Sequence, residues 1–420
     1  MEEIQYKLSQ FNIVDKYNDT TFLIFNSASG ALISLDSSKF NSFTNLIAND
    51  EMTTSFIQNG FWVDKREDEL FYQKAKRQIA VFTEKNNKHI VIAPTMKCNA
   101  RCYYCYEQGR ETPTMTDEVV NGVVDFLVKY TQKAESLNLS WFGGEPLLGE
   151  AVIDKIIASL KTRISIPITS TMTTNGSLLN DRLIEKMVNS WQLKTIQITL
   201  DGCKEYYSKV KNYYNGNQYY EKILGNIQKL SDNSIKVSIR INLSCENVDE
   251  AERLIDYLNE RFYKNANIDV YYMPLVQYSD EKDPRIIERD QDLENICRRI
   301  FGKLKQGKSN YVDECNFRDR TLPCAAVTED FFIIDPTGTL YKCQHDIGEK
   351  TQSVGDVFHG VLHNKIMSEW CFSALPAKCC SCNYLPMCQG GCKKSNNKCF
   401  FTKYLIYDYM KEMYERSINK

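Results

Sequence analysis

The sequence lacks the marks of a membrane or exported protein. No segment approaches the roughly 20 consecutive apolar residues that a helix needs to cross a bilayer. Residues 1–4 are acidic rather than basic, and no apolar run follows them, so we expect no secretory signal. These absences predict a cytoplasmic protein without a membrane partner.

A strong net charge is also absent. The 52 Lys and Arg residues nearly balance the 54 Asp and Glu residues, which leaves a formal net charge of -2. Proteins that attract nucleic acids electrostatically carry a clear positive excess, so we expect no nucleic-acid partner. Histidine is scarce, with four residues in a chain of 420, and a metal site here would contain few imidazole ligands.

Cysteine, in contrast, is abundant, with 16 residues. In a reducing cytosol, clustered thiols bind metals more often than they form disulfides. A site rich in thiolates and poor in imidazoles favours zinc or iron–sulfur clusters. The rest of the composition, 43% hydrophobic and 25% charged, is that of an ordinary globular protein with more than one domain.

The chain divides into four segments. Residues 1–85 contain no cysteine, and a strand–turn–strand pattern followed by helical patterns predicts a small α+β domain there. Residues 86–300 alternate between strand and helix patterns. Residues 301–400 are dense in cysteine and short of periodic elements, so they need metal to hold their structure. Residues 401–420 predict a terminal helix.

Six short apolar strands are predicted in the second segment, with helices between them: 90–93, 137–142, 168–173, 195–200, 236–241 and 268–272. Such alternation predicts an α/β fold with a parallel sheet covered by helices. The pattern fits either a curved sheet forming a partial barrel or an open doubly wound sheet. In both, ligands bind at the carboxyl ends of the strands.

The first cysteine group, Cys98-x3-Cys102-x2-Cys105, directly follows the first of these strands. Three thiolates on one loop can hold three irons of a cubane cluster and leave the fourth iron without a protein ligand. An open coordination position is what a catalytic metal site keeps. The alternative is a zinc site that takes its fourth ligand from elsewhere in the chain.

This spacing, with Tyr104 directly before the last cysteine, resembles the radical S-adenosylmethionine (radical SAM) superfamily. The resemblance covers about residues 88–275 and implies a partial (β/α)6 TIM-like barrel, S-adenosyl-L-methionine (SAM) and a [4Fe–4S] cluster at the triad. In that family, SAM chelates the open iron and is cleaved to a 5′-deoxyadenosyl radical. The radical then removes a hydrogen atom from the substrate.

The resemblance also implies residues that contact SAM. Each lies at or near the end of a predicted strand, where ordinary turn chemistry is the alternative explanation for the Asn-Gly and Asp-Gly pairs. An arginine on a buried strand needs an anionic partner, and the SAM carboxylate would serve. The implied SAM contacts are Tyr104, Gly143, Gly144, Glu145, Pro146, Thr174, Asn175, Asp201, Arg240 and Asn242.

The C-terminal cysteines, with Gly338 between the first two, are similar in order and spacing to the SPASM domain of peptide-maturing radical SAM enzymes. The resemblance implies two auxiliary [4Fe–4S] clusters, three clusters in all. One set of implied ligands is Cys379, Cys382, Cys388 and Cys399. The other is Cys324, Cys343, Cys392 and an upstream cysteine, for which Cys315 is the candidate. Cys380 competes with Cys379, and a pair of structural zinc knuckles is the alternative for the whole region.

The order of domains suggests a substrate. Residues 1–85 resemble the winged-helix-like peptide-recognition elements of ribosomal-peptide maturases, which capture a leader by strand addition; a dimerisation or packing module is the alternative. The resemblance implies a radical SAM maturase that abstracts a hydrogen atom from a precursor peptide with a leader and installs a cross-link, most simply a thioether. Epimerisation and other cross-links stay open. A flavodoxin- or ferredoxin-type protein would be the reductant.

Two rival functions are considered. An anaerobic sulfatase-maturating enzyme, which makes formylglycine, carries an Asp after the cysteine that matches Cys343, but here that residue is Gln344. The role of base would then be empty or fall to His345 or Asp346. The non-enzymatic rival is an iron–sulfur electron carrier or a zinc-organised binding protein. No catalytic side chain is identified, and the cysteines that match no motif are assigned to packing: Cys203, Cys245, Cys297 and Cys371.

Overall fold

The fold is known from a computed structural model. It describes residues 5–83, 85–216, 218–262, 265–276, 283–287, 290–306, 320–395, 399 and 401–419. The candidate ligand Cys315 lies outside these residues. Within the described part of the chain, every helix is too short or too polar to span a lipid bilayer.

The N-terminal segment contains two small antiparallel sheets and three helices. Strands β1 and β5 pair with each other, and β2, β3 and β4 form a meander. The strands are β1 Tyr6–Leu8, β2 Asn12–Lys16, β3 Thr21–Asn26, β4 Leu32–Asp36 and β5 Trp62–Asp64. The helices are α1 Ser37–Thr44, α2 Asp50–Gln58 and α3 Glu69–Phe82. Each helix begins after an Asp or Asn whose side chain accepts a hydrogen bond from a first-turn N–H, as capping predicts.

A parallel sheet of six strands forms the centre of the molecule. Its strands are β6 Asn87–Ile92, β7 Ser136–Trp141, β8 Ile168–Thr174, β9 Leu193–Thr199, β10 Lys236–Leu243 and β11 Ile268–Pro274. Each strand pairs with its neighbour in the chain, so the reversal of order that defines a doubly wound sheet is missing from these six. The predicted α/β fold with a partial (β/α)6 barrel is therefore confirmed.

Helices follow the strands and cover the sheet with apolar faces. They are α4 Asp117–Tyr130, α5 Glu150–Arg163, α6 Asp181–Asn189, α7 Lys204–Lys211, α8 Tyr220–Asp232 and α9 Val248–Arg261. In α6, for example, Leu183, Ile184 and Met187 are buried at helical spacing. The sheet and these helices share one continuous apolar core, which holds the carboxyl ends of the strands at fixed positions.

The cysteine-rich segment extends the central sheet rather than forming a separate layer. Strand β12 (Phe332–Ile334) pairs in parallel with β6, and β13 (Leu340–Tyr341) pairs antiparallel with β12. The predicted boundary between residues 300 and 301 falls inside helix α10 (Asp290–Gln306), which packs against α9. The remaining elements are short: β14 Gly355–Asp356, β15 Gly360–Val361, α11 Lys365–Cys371, α12 Ala377–Cys380 and α13 Leu385–Cys388.

The two ends of the chain meet. The last helix, α14 (Ile406–Ile418), packs on β3 and β4. Phe11 of the N-terminal segment shares a small buried cluster with Cys379 and Leu385, and the Arg77 guanidinium donates to the carbonyl of Gln389 at 2.6 Å. The N-terminal segment is therefore packed directly against the C-terminal cysteine region.

Candidate active site

The cysteine triad lies on the loop that leaves the carboxyl end of β6. Burial raises the pKa of the Cys98 thiol to about 11 and that of the Cys105 thiol to about 12, and the nearby Cys102 thiol raises both further. Such thiols ionise readily only when a cation binds beside them. Three convergent, partly buried thiols therefore fit a cluster with three protein ligands. Among the residues that the structure describes, no three His, Cys, Asp or Glu side chains are close enough to hold a single metal ion.

The paired glycines after β7 are required by the triad loop itself. A Cβ atom on Gly144 would lie 2.5 Å from the carbonyl oxygens of Met96 and Lys97, and one on Gly143 would collide with the carbonyl of Thr95. Backbone N–H groups of Gly144 and of the following residue also donate to this loop. The close approach expected from the two glycines is thus between two segments of the protein.

Glu145 joins the ends of β7 and β8. Its carboxylate is fully buried and accepts hydrogen bonds from Thr174 Oγ1 at 2.7 Å, Asn175 N at 2.9 Å and Leu147 N at 3.1 Å. Burial raises the Glu145 pKa, and these three donors lower it. A carboxylate has room for about four donors, so Glu145 can accept one more, which fits the amino group of a ligand. Pro146 is buried and opens the short turn that follows.

Asn175 carries this connection to the triad loop. Its side-chain amide donates to Asn99 Oδ1 at 2.9 Å, and its own amide oxygen accepts from Ser177. Asn99 lies directly after Cys98. The motif after β8 therefore also positions the triad loop.

Asp201, which follows β9, lies in a second polar network. Its carboxylate is 1% exposed and accepts from Tyr104 Oη at 2.6 Å and from the backbone N–H of Asn242 at 3.1 Å. The Lys211 ammonium lies 3.2 Å from the same carboxylate. The structure thus brings together Tyr104, Asp201 and Asn242, three of the predicted residues. Lys211 was not predicted; Tyr207, Val210 and Lys211 share the buried face of α7, but the polarity of the helix hides this face in the sequence.

Arg240 lies on β10 at the mouth of the barrel. Its Nε donates to Asn242 Oδ1 at 2.8 Å, and its charge lowers the pKa of the neighbouring Tyr271, which burial raises. Within the described ranges Arg240 forms no ion pair with a carboxylate, so the anionic partner expected for it is not supplied by those residues.

The C-terminal cysteines form two groups. In the first, the other three thiols raise the pKa of Cys379, which burial also raises; the members are Cys379, Cys382, Cys388 and Cys399. In the second, Cys324 and Cys392 raise the pKa of Cys343, which burial brings to about 12. The structure thus brings together the four thiols of one set implied by the resemblance and three of the other, whose candidate fourth member Cys315 lies outside the described residues. The Cys380 thiol faces the Pro376 carbonyl at 3.9 Å instead.

The triad loop touches the C-terminal cysteine region directly. The Tyr106 ring lies 4.1 Å from the ring of His345, and the Arg110 guanidinium donates to the carbonyls of His345 at 3.0 Å and Ile347 at 2.5 Å. Tyr106 follows Cys105, and His345 lies two residues after Cys343. This contact makes the triad and the second thiol group neighbours.

Acidic groups gather at this contact. Burial raises the pKa of Glu107 to about 7, and its Oε1 atom has no hydrogen-bond partner among the described residues. Asp346 is buried and pairs with Lys394. Burial, with Arg110 nearby, lowers the pKa of His345 to about 4. The sequence predicts His345 and Asp346 as candidates for a base but gives no signal for Glu107, whose raised pKa depends on burial.

Comparison with known proteins agrees with this geometry. Residues 92–258 match the model of the radical SAM superfamily. The GTP 3′,8-cyclase of Clostridium perfringens (strain SM101 / Type A) is 28% identical over 276 residues, which cover 61% of this chain and 80% of that protein. The cysteine-type anaerobic sulfatase-maturating enzyme of Clostridium novyi (strain NT) is 24% identical over 363 residues, covering 77% of this chain and 93% of that protein.

A solved structure extends the likeness to nearly the whole chain. Streptococcus suis SuiB bound to the precursor peptide SuiA superposes with a TM-score of 0.55 at 16% identity, covering 93% of this chain and 96% of that one. At this identity the likeness concerns the fold. Together with the family match and the thiol triad at the mouth of the barrel, it shows that the chain contains a radical SAM domain at residues 92–258, a domain that uses SAM and a [4Fe–4S] cluster.

Proposed function

We propose that this enzyme is a peptide maturase that abstracts a hydrogen atom from a ribosomally made precursor and closes a thioether cross-link. The observation that carries the proposal is the direct contact between the triad loop and the C-terminal thiol group through Tyr106, Arg110 and His345. A cross-linking oxidation needs a radical source and an electron acceptor close together. This contact supports the proposal, because it joins the loop that carries Cys105 to the segment that follows Cys343.

The chain's own residues would prepare the site as follows. Cys98, Cys102 and Cys105 would hold the cluster that, when bound, supplies the electron for cleavage of SAM. Glu145 would accept a hydrogen bond from the SAM amino group. Arg240, on the barrel mouth, would pair with the SAM carboxylate, and its bond to Asn242 would fix the direction of the guanidinium.

The cross-linking step balances if the C-terminal cysteines hold the two proposed auxiliary clusters. The peptide carbon loses a hydrogen atom to the 5′-deoxyadenosyl radical, and a peptide cysteine loses its thiol proton to a base. Formation of the sulfur–carbon bond would release one surplus electron from the peptide, and an oxidised auxiliary cluster held by the C-terminal cysteines would supply the acceptor. The peptide loses two hydrogen atoms in total and keeps its sulfur.

We assign recognition of the precursor's leader to residues 1–85. The likeness to SuiB, whose structure was solved with a precursor peptide, supports this assignment, as does the small antiparallel meander whose edges could accept a strand. Because Phe11 and Arg77 pack against the C-terminal cysteine region, removal of residues 1–85 would expose a surface of that region that is now buried. Leader binding is therefore best measured on the full chain.

The proposal is tested by anaerobic co-expression with a short cysteine-containing peptide encoded nearby, followed by mass spectrometry. We expect a loss of two hydrogen atoms for each cross-link, with sulfur retained. Changing Cys98, Cys102 and Cys105 together to Ala should abolish reductive cleavage of SAM and leave the iron of the C-terminal region in place. SAM cleavage by that triple variant contradicts the assignment of the triad.

Formylglycine formation is the second candidate. The likeness to the Clostridium novyi sulfatase-maturating enzyme over 93% of its length favours it, and Asp346 offers a carboxylate near Cys343, although Gln344 cannot act as a base. The same mass spectrum decides between the two, because conversion of cysteine to formylglycine removes sulfur from the peptide.

A further inference from the structure

Lys211 is buried beside the triad loop and belongs to none of the motifs found in the sequence. Its side chain is 3% exposed. The ammonium donates to Tyr104 Oη at 2.9 Å and lies 3.2 Å from the Asp201 carboxylate, to which Tyr104 also donates at 2.6 Å. The three groups come from the triad loop, from the end of β9 and from the end of α7, so they tie three separate elements together.

Stability alone does not explain this ion pair. Removing both charges from water is expensive, and apolar residues of similar size often stabilise a protein equally well. Since the Lys211–Asp201 pair adds little net stability, we look to its contacts for its role. Here both members of the pair contact the hydroxyl of Tyr104, the residue directly before Cys105.

The backbone around Lys211 holds the same loop. The carbonyl of Lys211 accepts from the N–H of Arg101 at 2.8 Å, and the N–H of Tyr214 donates to the carbonyl of Asn99 at 3.1 Å. The loop segment that leads into Cys102 is therefore bonded to the end of α7 on both main chain and side chain.

The ammonium also contributes charge. The buried Lys211 ammonium contacts Tyr104, two residues after Cys102 in the triad loop. The thiolate is the form that binds iron, and three thiolates on one short loop repel one another. A buried cation beside the middle cysteine reduces that repulsion.

We propose that Lys211 is a positioning residue for the triad loop. Through Tyr104 and Asp201 it fixes the loop against the barrel, and it places one positive charge beside the loop that would hold the cluster. This inference rests on the proposed binding of a cluster by the triad cysteines.

The test compares K211M, K211R and Y104F with the exposed K209M of the same helix as the matched control. Iron and the reduction potential of the triad cluster are measured on the anaerobically reconstituted full chain. The triad cluster is defined as the iron and the EPR signal that the triple cysteine-to-alanine variant lacks. We expect K211M to lose at least half of that iron and to shift the remaining signal to a more negative potential.

The other variants separate position from charge. Y104F removes the hydroxyl without changing charge, so it should lose iron without a shift in potential. K211R keeps the charge with a different shape, so it should keep the potential and lose part of the iron. K209M should match the unchanged protein.

Wild-type loading and potential in K211M overturn the inference. If K211M does not fold by circular dichroism, full loading in both Y104F and K211R overturns it instead. If the unchanged protein holds no more iron than the triple variant, the proposed triad itself is wrong, and the inference falls with it.

Discussion

The two cysteine regions are built in different ways. The triad loop is held at the carboxyl ends of a packed parallel sheet, between two glycines and two polar networks. The C-terminal region contains strands of two or three residues and helices of four to seven. The triad loop is thus held by long regular elements, whereas the C-terminal thiols lie on short ones, and we expect the second region to depend more on bound metal.

The two regions also use buried lysines differently. Lys211 is paired with Asp201, a charged partner. Lys342 has 0% of its surface exposed, and its ammonium donates to the carbonyls of Thr328 and Phe331, both at 2.5 Å. Burial lowers the Lys342 pKa to about 8, because carbonyls compensate a charge less fully than a carboxylate does. Lys211 positions a reactive loop, and Lys342 fastens the backbone that leads from Cys324 to β12.

The largest expected effect tests whether the barrel positions the triad. In G144A the added methyl group would lie 2.5 Å from two carbonyl oxygens of the triad loop, so this loop must move. Overpacking of this kind costs about 1–3 kcal/mol, and we expect most of the triad iron to be lost. Iron analysis after reconstitution and reductive cleavage of SAM measure the effect.

The matched control is G225A. Gly225 lies within α8, and its added methyl group would meet nothing within 4 Å, so the change should raise helix stability by about 0.5–1 kcal/mol. SAM cleavage should be unchanged in this control. Normal triad loading in G144A would mean that the loop is adaptable and that the contrast between the two regions is wrong.

A smaller effect tests the second region. K342M leaves two buried carbonyls without their donor, which costs about 1–3 kcal/mol. We expect faster proteolytic cleavage near residues 328–331 and loss of iron from the C-terminal thiols, while reductive SAM cleavage persists. The exposed K350M is the control. Equal proteolysis of the two variants contradicts the role of Lys342.

The sequence predicts the first region better than the second, for physical reasons. The triad and the motifs with Glu145 and Asp201 are local patterns that directly follow predicted strands. The alternation of strand and helix patterns is therefore enough to place them at the carboxyl ends of the sheet. The pairing of β12 with β6 joins segments about 240 residues apart, and no local pattern records it. Lys211 became a candidate only through its contacts with Tyr104 and Asp201, and Glu107 only through its burial. The thiol groupings came from resemblance, and their role as cluster ligands stays a prediction.

The smallest expected effect concerns the outer helices of the barrel, which should not depend on metal. Arg182, followed by Lys186, holds the pKa of Glu150 down at about 2. A carboxyl whose folded-state pKa is lowered adds stability above its unfolded pKa and loses it as the pH falls through the folded value. E150Q should therefore lower the free energy of unfolding at pH 7 by about 0.5 kcal/mol, the scale of an exposed ion pair. The difference from the unchanged protein should fade toward pH 2.

The exposed Glu185 on α6 offers E185Q as the control, with urea unfolding as the measurement. Because α5 and α6 are fixed by packing and ion pairs, the difference should be the same with and without iron; a difference that appears only in the iron-loaded protein would show that the barrel, too, depends on its metal.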